Sequence, residues 1–196
     1  MSNTTNVDFS SRETLPLVDP QFTRRWSPRA MQKGVIPAAD LAAIIEAARW
    51  SPSAYNDQPW QIYTSTEQTF EEFLRLLVPF NQSWAANASV LGFVVSRQHF
   101  RHNGKLNVHA DFDAGAAWMA LSLQAHQLGY AVHGMAGVEF DAAQEYLKLD
   151  KEKFRVICAF ALGLQGDPAQ LAPELREREK PSTRVPLSEV WVQVGK

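Results

Sequence analysis

The chain has 196 residues, of which 45% are hydrophobic and 20% charged, and its formal net charge is -2. That length and balance fit one globular domain with a sizeable core. Scattered basic residues on a nearly neutral chain exclude a nucleic-acid surface, and no apolar run approaches the ~20 residues needed to cross a bilayer.

Residues 1–11 are polar and lack the basic-then-apolar pattern of a secretory signal, so the expected location is cytoplasmic. Residues 1–21 read as a polar N-terminal segment. Residues 22–196 read as one domain, with 166–196 as a C-terminal arm. Between them, 37–50 has helical spacing in Leu41, Ile44, Ile45 and Ala48, with Pro37 at the first helical position and Ser51-Pro52 as the stop. A short strand is expected at 60–64. A helix at 66–78 follows, with Ser65 and Gln68 as a capping box and Pro79 ending it. Phe70, Phe73 and Leu74 on that helix read as core.

The apolar run 89–96 predicts a strand covered on both faces. The polar stretch 97–109 predicts a loop. The longest helix is expected at 113–128, closed by Gly129, and its small Ala114-Gly115-Ala116-Ala117 segment permits close approach of another element. A short helix is expected at 141–149, with Asp141 and Gln144 in capping-box spacing, and a buried strand at 154–162. Cys158, the one cysteine, lies inside that apolar strand and reads as inert. The polar, charged stretch 166–186 reads as an arm without its own core. Val190 to Val194 then reads as a strand that must pair with an edge of its own sheet or of a second subunit. Interleaved strands and helices, with helices sometimes adjacent, predict an α+β fold.

No glycine-rich dinucleotide fingerprint, P-loop or nucleophile elbow occurs, so any bound nucleotide is held by another device. One candidate is Arg25-Trp26-Ser27-Pro28-Arg29. Two guanidiniums four residues apart, with a hydroxyl between, can converge on one phosphate, although a solvated basic loop is the plain reading of that segment alone. A second candidate is Ser51 to Trp60. There Pro52 and Pro59 stiffen a segment whose Ser53, Asn56 and Gln58 offer hydroxyl and amide groups to a heterocycle; a helix-ending turn is the plain alternative. His99, His102 and His109, with Asp111 and Asp113, match no standard metal spacing.

Taken in order, with a helix between them, the two segments resemble the nitroreductase family. That family carries Arg-x-Ser-x-Arg/Lys, a helix, and then Pro-Ser-x-x-Asn-x-Gln-Pro-Trp. The resemblance continues through Asn81-Gln82-Ser83-Trp84, His126-Gln127-Leu128-Gly129, Gly134-Met135-Ala136-Gly137 and Phe160-Ala161-Leu162-Gly163, and ends at Arg184-Val185-Pro186-Leu187. It implies a central mixed β-sheet flanked by helices, and a homodimer with an exchanged C-terminal arm. It also implies FMN at the subunit interface.

By position, Arg25, Trp26, Ser27, Arg29 and Arg184 would take the phosphate and ribityl end. Pro52, Ser53, Ala54, Asn56 and Gln58 would approach from the partner. Asn81, with Trp84 beside it, would face the polar edge of the ring, and the Ala136-Gly137 turn would lie near flavin N5. Trp26 and Ala54 depart from the polar residues common at their positions. Ser182 stands where the family often has lysine, which leaves three arginines for the phosphate. The implied activity is hydride transfer from NADH or NADPH to nitroaromatics, quinones or other small electron-poor acceptors in a ping-pong cycle. A flavin carrier without turnover, or different flavin chemistry such as dehalogenation or flavin fragmentation, is the alternative. The 97–109 loop would border the pocket.

Overall fold

A computed structural model describes residues 7–195. Its strands are β1 (Met31–Gln32), β2 (Trp60–Thr64), β3 (Val90–Arg97), β4 (Ala131–Met135) and β5 (Phe154–Gln165). β5 is the spine of the sheet. It pairs with β3, β4 and β1, and β3 pairs with β2; every one of these ladders is antiparallel. The parallel component of the expected mixed sheet is therefore not found within the described chain. β2 and β4 each pair on one side only.

Side chains alternate along the two central strands up to a bulge in β5. Leu91, Phe93 and Val95 face one core, with Ala159 and Ala161; Val90 and Val94 face the other, with Phe160 and Leu162. This is the period-2 signature of a sheet buried on both faces. A bulge opposite Val94 and Val95 inserts one residue into β5. It switches the phase, so that Val156 joins the first core while Ile157 packs against the second, as an extra strand residue requires.

The second core is roofed by α2 (Ala38–Arg49) and α5 (Ala110–Gln127). Ala114 and Ala117 of α5 and Ala48 of α2 are fully buried, which explains the small segment as close helix packing. Pro37 is the N-cap residue of α2. The first core is covered by α3 (Phe70–Arg75), α4 (Pro79–Ala85) and α6 (Phe140–Tyr146).

Both expected capping boxes are absent. α3 starts after Thr69, and the Ser65 hydroxyl instead accepts from the Leu91 N–H at 3.0 Å. α6 starts after Glu139, and Gln144 donates to the Phe154 carbonyl at 2.9 Å. α3 ends at Arg75, short of the expected stop at Pro79; Pro79 instead opens α4, because its missing N–H is not needed in a first turn.

The arm differs most from expectation. Its first half contains α7 (Pro173–Glu177), and Leu171 and Leu175 are buried in the first core. Residues 190–194 are not a strand. A short helix, α8 (Leu187–Val190), precedes irregular chain, and Val190, Trp191 and Val192 are 70%, 60% and 74% exposed. A strand needs an unpaired edge, and this segment reaches none on its own chain.

Gly92 in β3 marks the tightest contact in the sheet. A methyl there would collide with the Phe160 ring and approach the Tyr63 carbonyl oxygen to 2.7 Å. Because the carbonyl is part of the β2 ladder, it cannot move aside. Gly92→Ala is expected to destabilise by about 3 kcal/mol and to lower Tm by roughly 5–10 °C. Circular dichroism melting reads this directly, and an unchanged Tm would contradict the packing described.

Candidate functional site

The basic segment leaves α1 (Pro20–Arg24) in an extended conformation at Arg25. It is fixed from the arm: the Glu179 carboxylate accepts from the Arg29 N–H at 2.8 and 3.1 Å and from the Ala30 N–H at 2.8 Å. Burial raises the Glu179 pKa, and the two amides oppose that rise. Because the carboxylate serves backbone amides, it forms no ion pair with the Arg29 guanidinium. The Arg29 Nε is buried without a hydrogen-bond partner among the described residues. Burial, reinforced by Arg178 and opposed by the charge of Glu179, holds Arg29 below its ordinary pKa.

Arg25 is half-buried, and its Nη1 reaches the Ser27 hydroxyl at 3.4 Å. Burial and then the charge of Arg184 lower its pKa. Arg184 is exposed, with its Nη1 donating to Thr183 and Ser182. Arg25 thus lies beside Ser27 and feels Arg184, more than 150 positions away, while Arg25 and Arg29 both act on His133. Trp26 lines an adjoining cavity of about 400 Å³ with Arg24, Arg25, Ser122 and His126.

A second group lies where α4 meets the end of β4. Asn81 is buried and its Nδ2 donates to the Gly137 carbonyl at 3.1 Å, which leaves Oδ1 free. The same carbonyl accepts from Val78, while Val138 bonds back to Ala136. Only glycine fits at 137, since an added methyl would lie 2.6 Å from the Asn81 Nδ2. The Gly137 N–H has no partner among the described residues.

Trp84 is core, 1% exposed, with a buried indole N–H that finds no acceptor among the described residues. His133 links the two groups. Its Nδ1 lies 3.0 Å from the Pro28 carbonyl, and its ring packs 4.7 Å from Trp84. Burial pushes the His133 pKa down to about 4, helped by the charges of Arg29 and Arg25 and opposed by the Pro28 and Ser27 backbone.

The amide-rich segment forms a separate, strained loop. Tyr55, Asn56 and Gln58 have φ of 55°, 53° and 49°, a region that costs a non-glycine residue about 1 kcal/mol or more. Three ties hold it. Ser53 Oγ accepts from the Gln58 N–H at 2.9 Å, and Asp113 accepts from the Ala54 N–H at 3.1 Å. Buried Asp57 accepts from Arg97 and from the Arg101 N–H, each at 2.8 Å. Arg101 also bonds the Asp57 and Gln58 carbonyls, which binds the loop to the 97–109 excursion. Gln58 donates to Asn56 through its side chain and so orders the loop, while exposed Pro52 and Asn56 face outward. No hydrogen bond or ion pair joins this loop to the arginines or to Asn81 within the described chain.

The histidine and acid cluster disperses. Asp111 takes Ser96, Gln98 and Arg155, Asp113 holds Ala54, and His102 meets Asn103. Sequence reasoning missed Glu179, His133 and the Asp57, Arg97, Arg101 tie. Glu179 sits in an alternating charge run that reads as solvated, and nothing local distinguishes it.

A model of the nitroreductase family matches residues 22–77 and 64–164, well over half of the chain. The chain belongs to the nitroreductase family. It is 23% identical over 167 residues to Bacillus subtilis YdgI, whose name carries the words NAD(P)H nitroreductase, covering 67% of this chain and 80% of that one. A solved oxidoreductase described as containing FMN is 42% identical, with a TM-score of 0.90 over 100% of this chain and 98% of the other. A nitroreductase-like structure from Desulfovibrio desulfuricans, solved in complex with FMN, is 19% identical with a TM-score of 0.71 over 94% and 99%. The likeness to this last protein is one of fold. This nitroreductase-family chain is thus an oxidoreductase by descent.

The burial of His133 has a measurable consequence. Its proton is bound below about pH 4 in the folded protein, against 6.5 for an ordinary histidine. Between those values the unfolded chain carries the extra proton, so stability falls as pH falls through that window. From pH 7 to 5 the loss assigned to His133 is about 2 kcal/mol. Urea denaturation at the two pH values should show His133→Gln losing less stability than the parent; equal losses would refute this account.

Proposed function

We propose that the chain is an FMN-dependent oxidoreductase that works as a homodimer and reduces small electron-poor acceptors, nitroaromatics or quinones, with NADH or NADPH. One observation carries the reading: Arg25 sits beside Ser27 within the charge field of Arg184, with no salt-bridging carboxylate on either guanidinium among the described residues, and the Arg29 Nε is buried without a hydrogen-bond partner among them. An unneutralised guanidinium cluster fits a phosphate-terminated ligand, which accepts charge-assisted forks. The relative described as containing FMN, at 42% identity over the whole chain, supports the same ligand.

FMN would supply the hydride chemistry between nicotinamide and acceptor, and the protein supplies position and electrostatics. Arg25, Ser27 and Arg184 hold the phosphate and ribityl end, with Trp26 along the wall. Asn81, through its free Oδ1, and the unpaired Gly137 N–H face the polar edge and the reacting edge of the ring. Arg29 supplies positive charge where the reduced state accumulates negative charge.

The 52–58 loop of a second copy closes the other side, with Pro52, Ser53, Ala54 and Asn56 near the ring and Gln58 keeping Asn56 in place. Its left-handed conformation, tied down by Asp57 and Asp113, means that little order remains to be acquired on binding. No side-chain nucleophile is needed; burial pushes the Cys158 thiol up to about 11, which leaves it inert. With no second nucleotide motif in the sequence, NAD(P)H and acceptor occupy the same face in turn.

The dimer is supported by what the single chain leaves unfinished. The 52–58 loop makes no hydrogen bond or ion pair with Arg25, Arg29 or Arg184 among the described residues, and the apolar side chains Leu187, Val190, Trp191 and Val192 are exposed. Exposed Phe112 and Met119 also lie along the outer face of α5.

Purified protein is expected to be yellow, to bleach on anaerobic addition of NADH or NADPH, and to recover its colour when a quinone follows. Yellow protein that neither nicotinamide bleaches would instead support a flavin carrier. Ending the chain after Leu187 is expected to shift the dimer toward monomer in sedimentation at micromolar concentration. An unaltered dimer would rule out arm exchange.

A further inference from the structure

The arginine cluster has a member that lies outside every motif in the sequence. Arg12, in the segment before α1, reaches into it from the N-terminal side. Its Nε donates to the Ser182 carbonyl at 3.0 Å, and its Nη1 donates to the Thr23 carbonyl at 2.6 Å and the Arg25 carbonyl at 2.9 Å. One guanidinium therefore bridges the basic segment and the arm that carries Arg184. Burial lowers its pKa, followed by the charges of Arg184 and Arg25, and Arg25 in turn feels Arg184.

Three mutually repelling guanidiniums are costly to gather without an anion. No described carboxylate pairs with any of them. Each still has an Nη2 with no acceptor among the described residues.

We propose that Arg12 is a phosphate-binding residue of the flavin site, supplying from the N-terminal segment the charge that Ser182 does not provide. The proposal rests on the FMN reading above. Arg12 reaches the Ser182 backbone, so its charge stands where a basic side chain at 182 would otherwise serve. Two carbonyls fix Nη1 and a third fixes Nε. That leaves the unspent Nη2 directed by the fork geometry rather than by a flexible stem, which lowers the ordering cost of gripping an oxyanion. The stretch around Arg12 is thereby part of the site. Because the contact is to the phosphate alone, Arg12 distinguishes FMN from riboflavin, which has the same ring and ribityl chain without that charge.

The test is equilibrium binding of FMN and of riboflavin to flavin-stripped, full-length protein, followed by quenching of flavin fluorescence. Arg12→Ala is expected to weaken FMN binding about 10- to 100-fold, the range of a charge-assisted contact, and to leave riboflavin binding within about 2-fold. Arg12→Lys, which keeps the charge but loses the fork, should fall between parent and alanine variant for FMN. Inorganic phosphate should compete with riboflavin-independent FMN binding less effectively in Arg12→Ala than in the parent.

Equal weakening of both flavins would mean that Arg12 only braces the fold, and unchanged FMN affinity would mean that it does not touch the phosphate; either overturns the proposal. Arg25→Ala separates the two levels of the argument. If it loses FMN while Arg12→Ala does not, the flavin reading stands and the role of Arg12 falls. Parent protein that binds neither flavin would overturn both.

Discussion

A single carboxylate organises the charged end of the molecule. Glu179 receives the backbone N–H groups of Arg29 and Ala30 and so fastens the arm to the basic segment. It does this through main chain, not through guanidinium. A carboxylate in an ordinary ion pair with Arg29 would neutralise the charge a phosphate needs. Bound to amides, it holds the segment while the arginines stay available. Arg184 follows Glu179 by five positions in the same arm, so the anchor that fixes residues 29–30 also delivers the last arginine. Strained geometry elsewhere follows the same economy: Asp57 and Asp113 each hold backbone of the 52–58 loop and keep its outward groups unspent.

The sheet explains why these pieces lie where they do. β4 runs beside β5 and ends at Met135, which presents the 136–137 turn at its end. α4 returns against that turn through Asn81. His133, one pleat before the end of β4, touches the Pro28 carbonyl on one side and Trp84 on the other. It is a neutral spacer between the arginine segment and the Asn81 group, because its burial among positive charges excludes its own proton. A charged imidazole there would add to the repulsion among the arginines.

Long periodic elements were legible in the sequence, and so was the family motif. The helices at 38–49 and 110–127 and the strands at 60–64, 90–97 and 154–165 lie within a few residues of expectation, since each buries a face whose period is visible. Less was legible where structure depends on distant partners. β1 is two residues long and exists only because β5 overshoots to Gln165. The expected capping boxes failed because Ser65 and Gln144 found tertiary partners that sequence spacing cannot reveal. The tail at 190–194 has strand-forming residues but no edge on its own chain, so its propensity has nothing to act upon.

The site shows the same division more sharply. Arg25, Ser27, Arg29, Asn81, Gly137 and Arg184 sit in motifs of fixed spacing that the sequence displays, while the residues that hold these segments in place are scattered. Glu179 lies 150 positions from Arg29, Asp57 meets Arg97 and Arg101 across 40 and 44, and Arg12 meets Ser182 across 170. Such residues are polar or charged, sit in stretches that look solvated, and make their decisive bonds to backbone. Backbone atoms are the same at every position, so no residue type in the partner segment announces the contact. A motif can therefore name the groups that touch a ligand, but the number of charges that finally surround a phosphate is a property of the fold. Under the role proposed for Arg12, the charge that Ser182 lacks comes from 170 positions away, through a bond to the Ser182 backbone.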